Sequence, residues 1–142
     1  MHHIVYQSTA VQPLSAEALH VMLEKSRRKN RGLGITGLLL YSYGNILQIL
    51  EGEEPAVQGL YETIRQDVRH TNVLTLADGP IEHRMFSDWT MGFQDLPDHD
   101  FQQVMSGVEA RQKQLPAPTR ARIDEPLLCL IKSFVEDEQP RL

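Results

Sequence analysis

Three polar residues interrupt stretches that otherwise read as buried, and these are where the sequence could do chemistry. Tyr6 stands in the β-branched opening Ile4-Val5-Tyr6-Gln7-Ser8, and Gln48 has two apolar residues on each side in Ile46-Leu47-Gln48-Ile49-Leu50. A carboxamide buried there without a partner would cost about 1–3 kcal/mol, so something must satisfy it. Asn30 stands at the end of an amphipathic run, just before Gly32 and Gly34. Taken singly, each is most simply structural: a core tyrosine with its hydroxyl paired, a glutamine bonded to neighbouring backbone, an asparagine capping a helix. Together they would suit the polar edge of a flat heterocycle, provided the fold brings them to one place.

The elements that must position them can be read from spacing. Residues 3–8 form a strand that ends at a Pro13-containing linker. Ser15 follows as an N-cap, and Leu19, Met22, Leu23 and Ser26 recur at helical spacing, which predicts a helix over residues 16–30. Residues 35–42 and 46–50 are too apolar for a strand with one wet face, and Tyr43-Gly44-Asn45 joins them as a central hairpin. Pro55 opens a second helix whose inward stripe is Val57, Leu60, Tyr61 and Ile64, running to about Asp67. Two more strands are expected over residues 72–77 and 84–93, separated by Asp78-Gly79-Pro80. The order βαββαββ folds most simply into a ferredoxin-like α+β sandwich, a mixed sheet carrying both helices on one face. Its first and third strands lie side by side at the centre, so Tyr6 and Gln48 can face the same helices, with Asn30 nearby.

Composition shifts after residue 95, dividing the chain into a core of residues 1–95 and a helical extension of residues 96–142. In the extension, Phe101, Val104 and Met105 face inward from one helix, Pro116-Ala117-Pro118 makes a linker, and Leu127, Leu130, Ile131 and Phe134 define a last helix. Too short for a core of their own, these helices are expected to pack on the free face of the sheet or on another subunit.

Charge and cysteine content narrow the function classes. Fourteen Lys plus Arg against nineteen Asp plus Glu give a net charge of -5, which argues against nucleic acid as a partner. The single cysteine, Cys129, excludes an internal disulfide and every multi-cysteine metal site, and reads as a small apolar filler in the last helix. No apolar run approaches the roughly 20 residues of a membrane span, and the start lacks a signal peptide, so a cytoplasmic protein is expected. The cluster Lys25, Arg27, Arg28, Lys29 and Arg31 reads first as a solvated helix face, with attraction of cofactor phosphates as a second use. Asp98-His99-Asp100 is a solvated helix start, since three adjacent residues do not converge on one ion. No phosphate-cradling glycine loop, His-Glu-x-x-His pair or Gly-x-Ser-x-Gly elbow occurs.

Five stretches, in order over residues 3–93, closely resemble one family. They are Ile4-Val5-Tyr6-Gln7-Ser8; Ser26-Arg27-Arg28-Lys29-Asn30 with Gly34-Ile35-Thr36-Gly37-Leu38-Leu39; Gln48-Ile49-Leu50-Glu51-Gly52; Asp67-Val68-Arg69-His70; and Phe86-Ser87-Asp88-Trp89-Thr90-Met91-Gly92-Phe93. Each alone is weak, but all five in register resemble the BLUF family of blue-light sensors that use FAD. The resemblance implies a flavin held non-covalently between the two helices, with Tyr6 as photochemical electron and proton donor. It implies that Gln48 bridges Tyr6 to the flavin and that Asn30 holds the opposite polar edge of the ring. Lys29, where many relatives carry Asn or His, is counted with Asn30 among the contact positions. Asp67, Arg69 and His70 match a further contact stretch, Ser8 and Ser26 match secondary pocket positions, and Trp89 and Met91 match a pair that couples the flavin site to the rest of the molecule.

On that resemblance the protein is a photoreceptor and not an enzyme: no substrate bond changes, and the signal is a rearranged hydrogen bond at Gln48. Residues 94–142 are too short for an effector domain, so a stand-alone, self-associating sensor is expected, one that signals to a partner protein through its C-terminal helices. Two other readings are weighed against it. An acylphosphatase-like hydrolase would need a glycine-rich loop with an Arg after the first strand, where Thr9-Ala10-Val11-Gln12-Pro13 stands. A small-ligand regulatory domain without photochemistry would use Asn30 and Gln48 but give Tyr6 no necessary role.

Overall fold

The computed structural model describes residues 1–114 and 125–133. The elements are β1 (His2–Ala10), α1 (Ala16–Leu33), β2 (Thr36–Ser42), β3 (Asn45–Gly52), α2 (Glu54–Arg65), β4 (His70–Pro80), β5 (Gly92–Asp95), α3 (Asp98–Gln114) and α4 (Glu125–Ser133). They form one sheet in the order β4-β1-β3-β2-β5. All neighbouring strands are antiparallel except β2 and β5, so the sheet is mixed. β1 and β3 are central, as the connection order requires, and Tyr6 lies directly opposite Gln48 across that pair.

Alternation along the strands sorts the core into two layers. Ile4, Tyr6, Leu39, Tyr41, Ile46 and Leu50 meet Leu19 and Leu23 of α1 and Val57, Leu60 and Tyr61 of α2. Val5, Leu38, Leu40, Leu47 and Ile49 point the other way, onto Phe101, Val104, Met105 and Val108 of α3 and Leu128 and Ile131 of α4. The C-terminal helices therefore cover the face that the first two helices leave free. β2 is buried along its whole length, which explains why its sequence shows no polar alternation.

Helix α1 begins at Ser15, whose Oγ accepts from the Ala18 amide at 3.1 Å. It runs past Asn30 to Leu33 and stops at Gly34, whose φ of 70° is the left-handed cap conformation. Asn30 is thus an interior residue of the helix, not its cap, and its side chain is free to point inward.

The expected strand over residues 84–93 is the largest departure: only Gly92–Asp95 is a strand, and residues 81–91 loop across the end of the sheet. The reason is competition for backbone groups. The Met85 and Phe86 amides donate to the Glu51 carboxylate at 2.9 and 2.6 Å, so they are not available to a ladder. β4, in contrast, is longer than residues 72–77 at both ends. Cys129 is exposed on α4 and fills no core position. The expected linker at residues 116–118 and Phe134 lie outside the described residues.

Candidate functional site

The site is assembled on the face of the sheet covered by α1 and α2. Tyr6 is 3% exposed, and its hydroxyl donates to Oε1 of Gln48 across the β1–β3 pair. Burial, reinforced by Tyr61 and Asp67, pushes the Tyr6 hydroxyl far above the ordinary phenol range, so its proton stays on oxygen at any ordinary pH. Gln48 is buried too, and its Nε2 donates to Sδ of Met91 at 3.4 Å. Gln48 is therefore satisfied at both ends by side chains that face the same layer, and not by neighbouring backbone.

Aromatic rings surround the phenol. The Tyr61 ring lies 5.3 Å from that of Tyr6, and His70 meets it edge-on at 6.3 Å. His70 is held in turn, with Nδ1 on Ser8 Oγ at 3.0 Å and Nε2 on the Ile64 carbonyl at 2.6 Å. Ser8 thereby acts on the site through His70. Tyr61 was legible in sequence only as part of a helix stripe, and its place beside Tyr6 follows from β1 and α2 sharing a face.

Asn30, 2% exposed, donates from Nδ2 to the Thr90 carbonyl at 2.8 Å, and Arg27 Nε donates to the Met91 carbonyl at 2.9 Å. Both tie α1 to the loop that leads into β5. Arg27 was legible only as part of a basic cluster, and nothing in its spacing marks this contact. Ser26 is half-buried, whereas Lys29 lies exposed on α1, away from Gln48 and Tyr6.

The expected pair Trp89 and Met91 divides between the two layers. Met91 joins the α1/α2 layer. Trp89 joins the α3/α4 layer, stacked on Phe86 with centroids 5.8 Å apart and with Lys132 Nζ 5.6 Å from its ring centre.

A groove of about 360 Å³ lies along α1, lined by Ser15, Glu17, Ala18, Val21, Met22 and Lys25 with Arg69. Met22 also packs against the cluster that contains Tyr6 and Met91. Arg69 forms an ion pair with Asp67 at 2.5 Å. That bond holds the Asp67 carboxyl down to about 2, and Asp67 in turn raises the Arg69 guanidinium. Of the eighteen residues of α1 only Leu19, Leu23 and Asn30 are fully buried, with Met22, Ser26 and Arg27 half-buried beside them. A planar, polar-edged ring fits these features: apolar surface from Met22, amides from Gln48 and Asn30, and the charged side chains of Glu17, Lys25 and Arg69 at the groove.

A buried phenol–amide pair flanked by a tilted and an edge-on aromatic ring, on the sheet face that α1 and α2 cover, is the setting a flat, polar-edged chromophore needs. The chain matches the family "BLUF: Sensors of blue-light using FAD" over residues 1–92, and it belongs to that family of photoreceptors. The photoactivated adenylate cyclase subunit beta of Euglena longa is 42% identical over 89 residues, which are 62% of this chain and 10% of that protein. The blue light- and temperature-regulated antirepressor BluF of Escherichia coli (strain K12) is 30% identical over 105 residues, 74% of this chain and 26% of that one. Among solved structures, the BLUF protein BlrB in its dark state aligns with a TM-score of 0.70 at 26% identity, over 94% of this chain and 96% of that chain. A bacterial light-regulated adenylyl cyclase aligns with a TM-score of 0.67 at 33% identity, over 84% of this chain and 38% of that one. The chain thus matches about a tenth of the length of the cyclase subunit. BLUF domains are sensors and not enzymes. Among the described residues no helix is long and apolar enough to cross a membrane, and no cluster of side chains could hold a metal ion.

Proposed function

We propose that this chain reads blue light through Tyr6 and Gln48 and passes the change to α3 and α4. The observation that carries it is the buried line Tyr6 Oη to Gln48 Oε1 and Gln48 Nε2 to Met91 Sδ. FAD would be held by Gln48 and Asn30 at its polar edges, by the apolar surface of Met22 on α1, and by Arg69 at the groove, with Asp67, His70, Ser8 and Ser26 supporting the pocket. Bound FAD supplies a strong oxidant once it absorbs blue light.

The chain's residues do the rest. Tyr6 gives up an electron, its phenol becomes a strong acid, and the proton leaves Oη along the bond to Gln48 Oε1. When the electron and proton return, the Gln48 amide is left rotated or tautomerised. Its donor then no longer faces Met91 Sδ. A hydrogen-bond change in so dry a site is worth about 1–3 kcal/mol, enough to bias a two-state loop. Trp89 shares its layer with Phe101 and Val108 of α3 and Ile131 of α4, which supports these helices as the route to a partner protein and as the surface for self-association. The lone cysteine and the acidic balance suit a cytoplasmic setting.

The test is an absorption spectrum of the flavin-loaded protein in darkness and just after blue light. A small red shift that reverses in the dark is expected. Failure to bind flavin, or a spectrum indifferent to light, would return the pair to a purely structural role.

A further inference from the structure

Residues 81–91 join β4 to β5 and carry both Trp89 and Met91, and no strand or helix holds them. Side chains of other elements meet their backbone groups instead. Toward Met91, the loop is tied by Arg27 and Asn30 of α1. At its middle, Arg84 reaches the Gly34 carbonyl at 2.6 Å and Thr36 Oγ1 at 2.9 Å.

The Gly37 amide of β2 donates to the Trp89 carbonyl at 3.1 Å, and a further tie is Glu51, which is 1% exposed. Its Oε2 accepts the Met85 amide at 2.9 Å, and its Oε1 accepts the Phe86 amide at 2.6 Å and Thr36 Oγ1 at 2.9 Å. Burial raises the Glu51 carboxyl above its ordinary range, and these donors, with Arg84 nearby, work against that rise. Bonds with an ionised partner are roughly twice as strong as neutral ones, and Glu51 accepts two consecutive loop amides, Met85 and Phe86, so it grips the loop firmly there.

What Glu51 grips is the platform under Trp89. Phe86, whose amide it holds, stacks its ring on Trp89. Trp89 also lies close over Gly92, where a Cβ would come within 2.9 Å of its Cε3. The indole N–H is buried with no hydrogen-bond partner among the described residues. Glu51 follows Gln48 by three residues on β3. One strand therefore touches the loop twice, through Gln48 at Met91 and through Glu51 at Met85 and Phe86.

We propose that Glu51 is a positioning residue of the light response, whose carboxylate latches the Met85 and Phe86 amides and thereby sets where Trp89 stands when Gln48 rearranges. The proposal rests on the photoreceptor reading above, but the latch is closed in darkness and can be tested there.

Trp89 is the single tryptophan of the chain, so its fluorescence reports on the latch. In the flavin-loaded protein in darkness, Trp89 of the wild type, 2% exposed, is expected to be shielded from acrylamide. Glu51→Gln turns one acceptor into a donor facing an amide, and is expected to raise the quenching constant severalfold while the flavin band stays in place. Thr36→Val keeps both amide bonds and is expected to keep the shielding. Equal shielding in wild type and E51Q overturns the proposal, and so does a T36V variant as exposed as E51Q. Should E51Q not fold, amide hydrogen exchange in the wild type decides. The Met85 and Phe86 amides are expected to exchange roughly tenfold faster under continuous blue light than in darkness. Identical rates in a protein whose flavin does shift under light remove Glu51 from the response. A protein with no spectral response at all sinks the photoreceptor reading instead, and leaves the dark fluorescence comparison standing.

Discussion

Trp89 and Met91 are two residues apart in the chain and lie in opposite layers of the protein, one against α3 and α4, the other against Gln48. Strand alternation cannot account for this, because residues two apart in a strand share a face. The irregular path of residues 81–91 makes it possible, and it places one short segment in contact with both the site and the C-terminal helices.

Tyr6→Phe removes the hydroxyl that Gln48 Oε1 accepts. The variant is expected to bind flavin, lose about 1 kcal/mol of stability, and show no lasting spectral shift after blue light. A normal photocycle in absorption would take the donor role away from Tyr6.

Gln48→Leu is expected to give the same silence with flavin retained. Here the Tyr6 hydroxyl is left buried without its acceptor, a cost of about 1–3 kcal/mol that thermal melting of the loaded protein should register.

Met91→Leu keeps the volume and deletes only the sulfur that Gln48 Nε2 meets at 3.4 Å. Stability should change by less than about 1.5 kcal/mol, whereas the rate of return to the dark spectrum should change severalfold. An unchanged rate would show that Met91 is packing alone.

Asp67 supplies the pH dependence. Its pKa in the fold is lowered by Arg69 from the ordinary 3.8 to about 2. Its contribution is therefore complete above the ordinary value and is lost as pH falls through about 2. Arg69 is 69% exposed, so the effect is under about 1 kcal/mol. Melting temperatures of wild type and Asp67→Asn should converge as pH drops from 5 toward 2; parallel curves would mean that the pair adds nothing.

Gly37→Ala is the severest single change expected. The added Cβ would fall 1.9 Å from the Ile49 carbonyl oxygen, at the β2–β3 pair and beside the Gly37 amide that bonds Trp89 O. The β2–β3 ladder would have to part, costing several kcal/mol, on the order of 4 or more. Soluble, flavin-loaded G37A with wild-type melting would contradict the strand geometry.

Much of this was legible in the sequence because hydrophobic period carries topology. Gln48 inside an apolar run and Tyr6 in a β-branched one implied two adjacent central strands, and the register places them opposite each other. The loop before β5 was not legible. Residues 84–93 have the composition of a strand, and what prevents one is a carboxylate on β3 and two side chains on α1, all distant in sequence. Glu51 left a faint signal: alternation from Leu47 and Ile49 assigns it to an inward face, where an acid needs a reason. Asn30 misled for a different cause, since a cap and an interior helix residue differ only in where the following glycine takes its left-handed turn, which is Gly34.

The partial burial of α1 has a consequence for the protein's life in a cell. Beyond Leu19, Leu23 and Asn30, the helix meets the rest of the protein through the half-buried Met22, Ser26 and Arg27. A ligand that binds only the folded state raises its stability with the logarithm of its concentration. Flavin supply is therefore expected to set how much of the protein withstands proteases, so that colour and abundance rise and fall together.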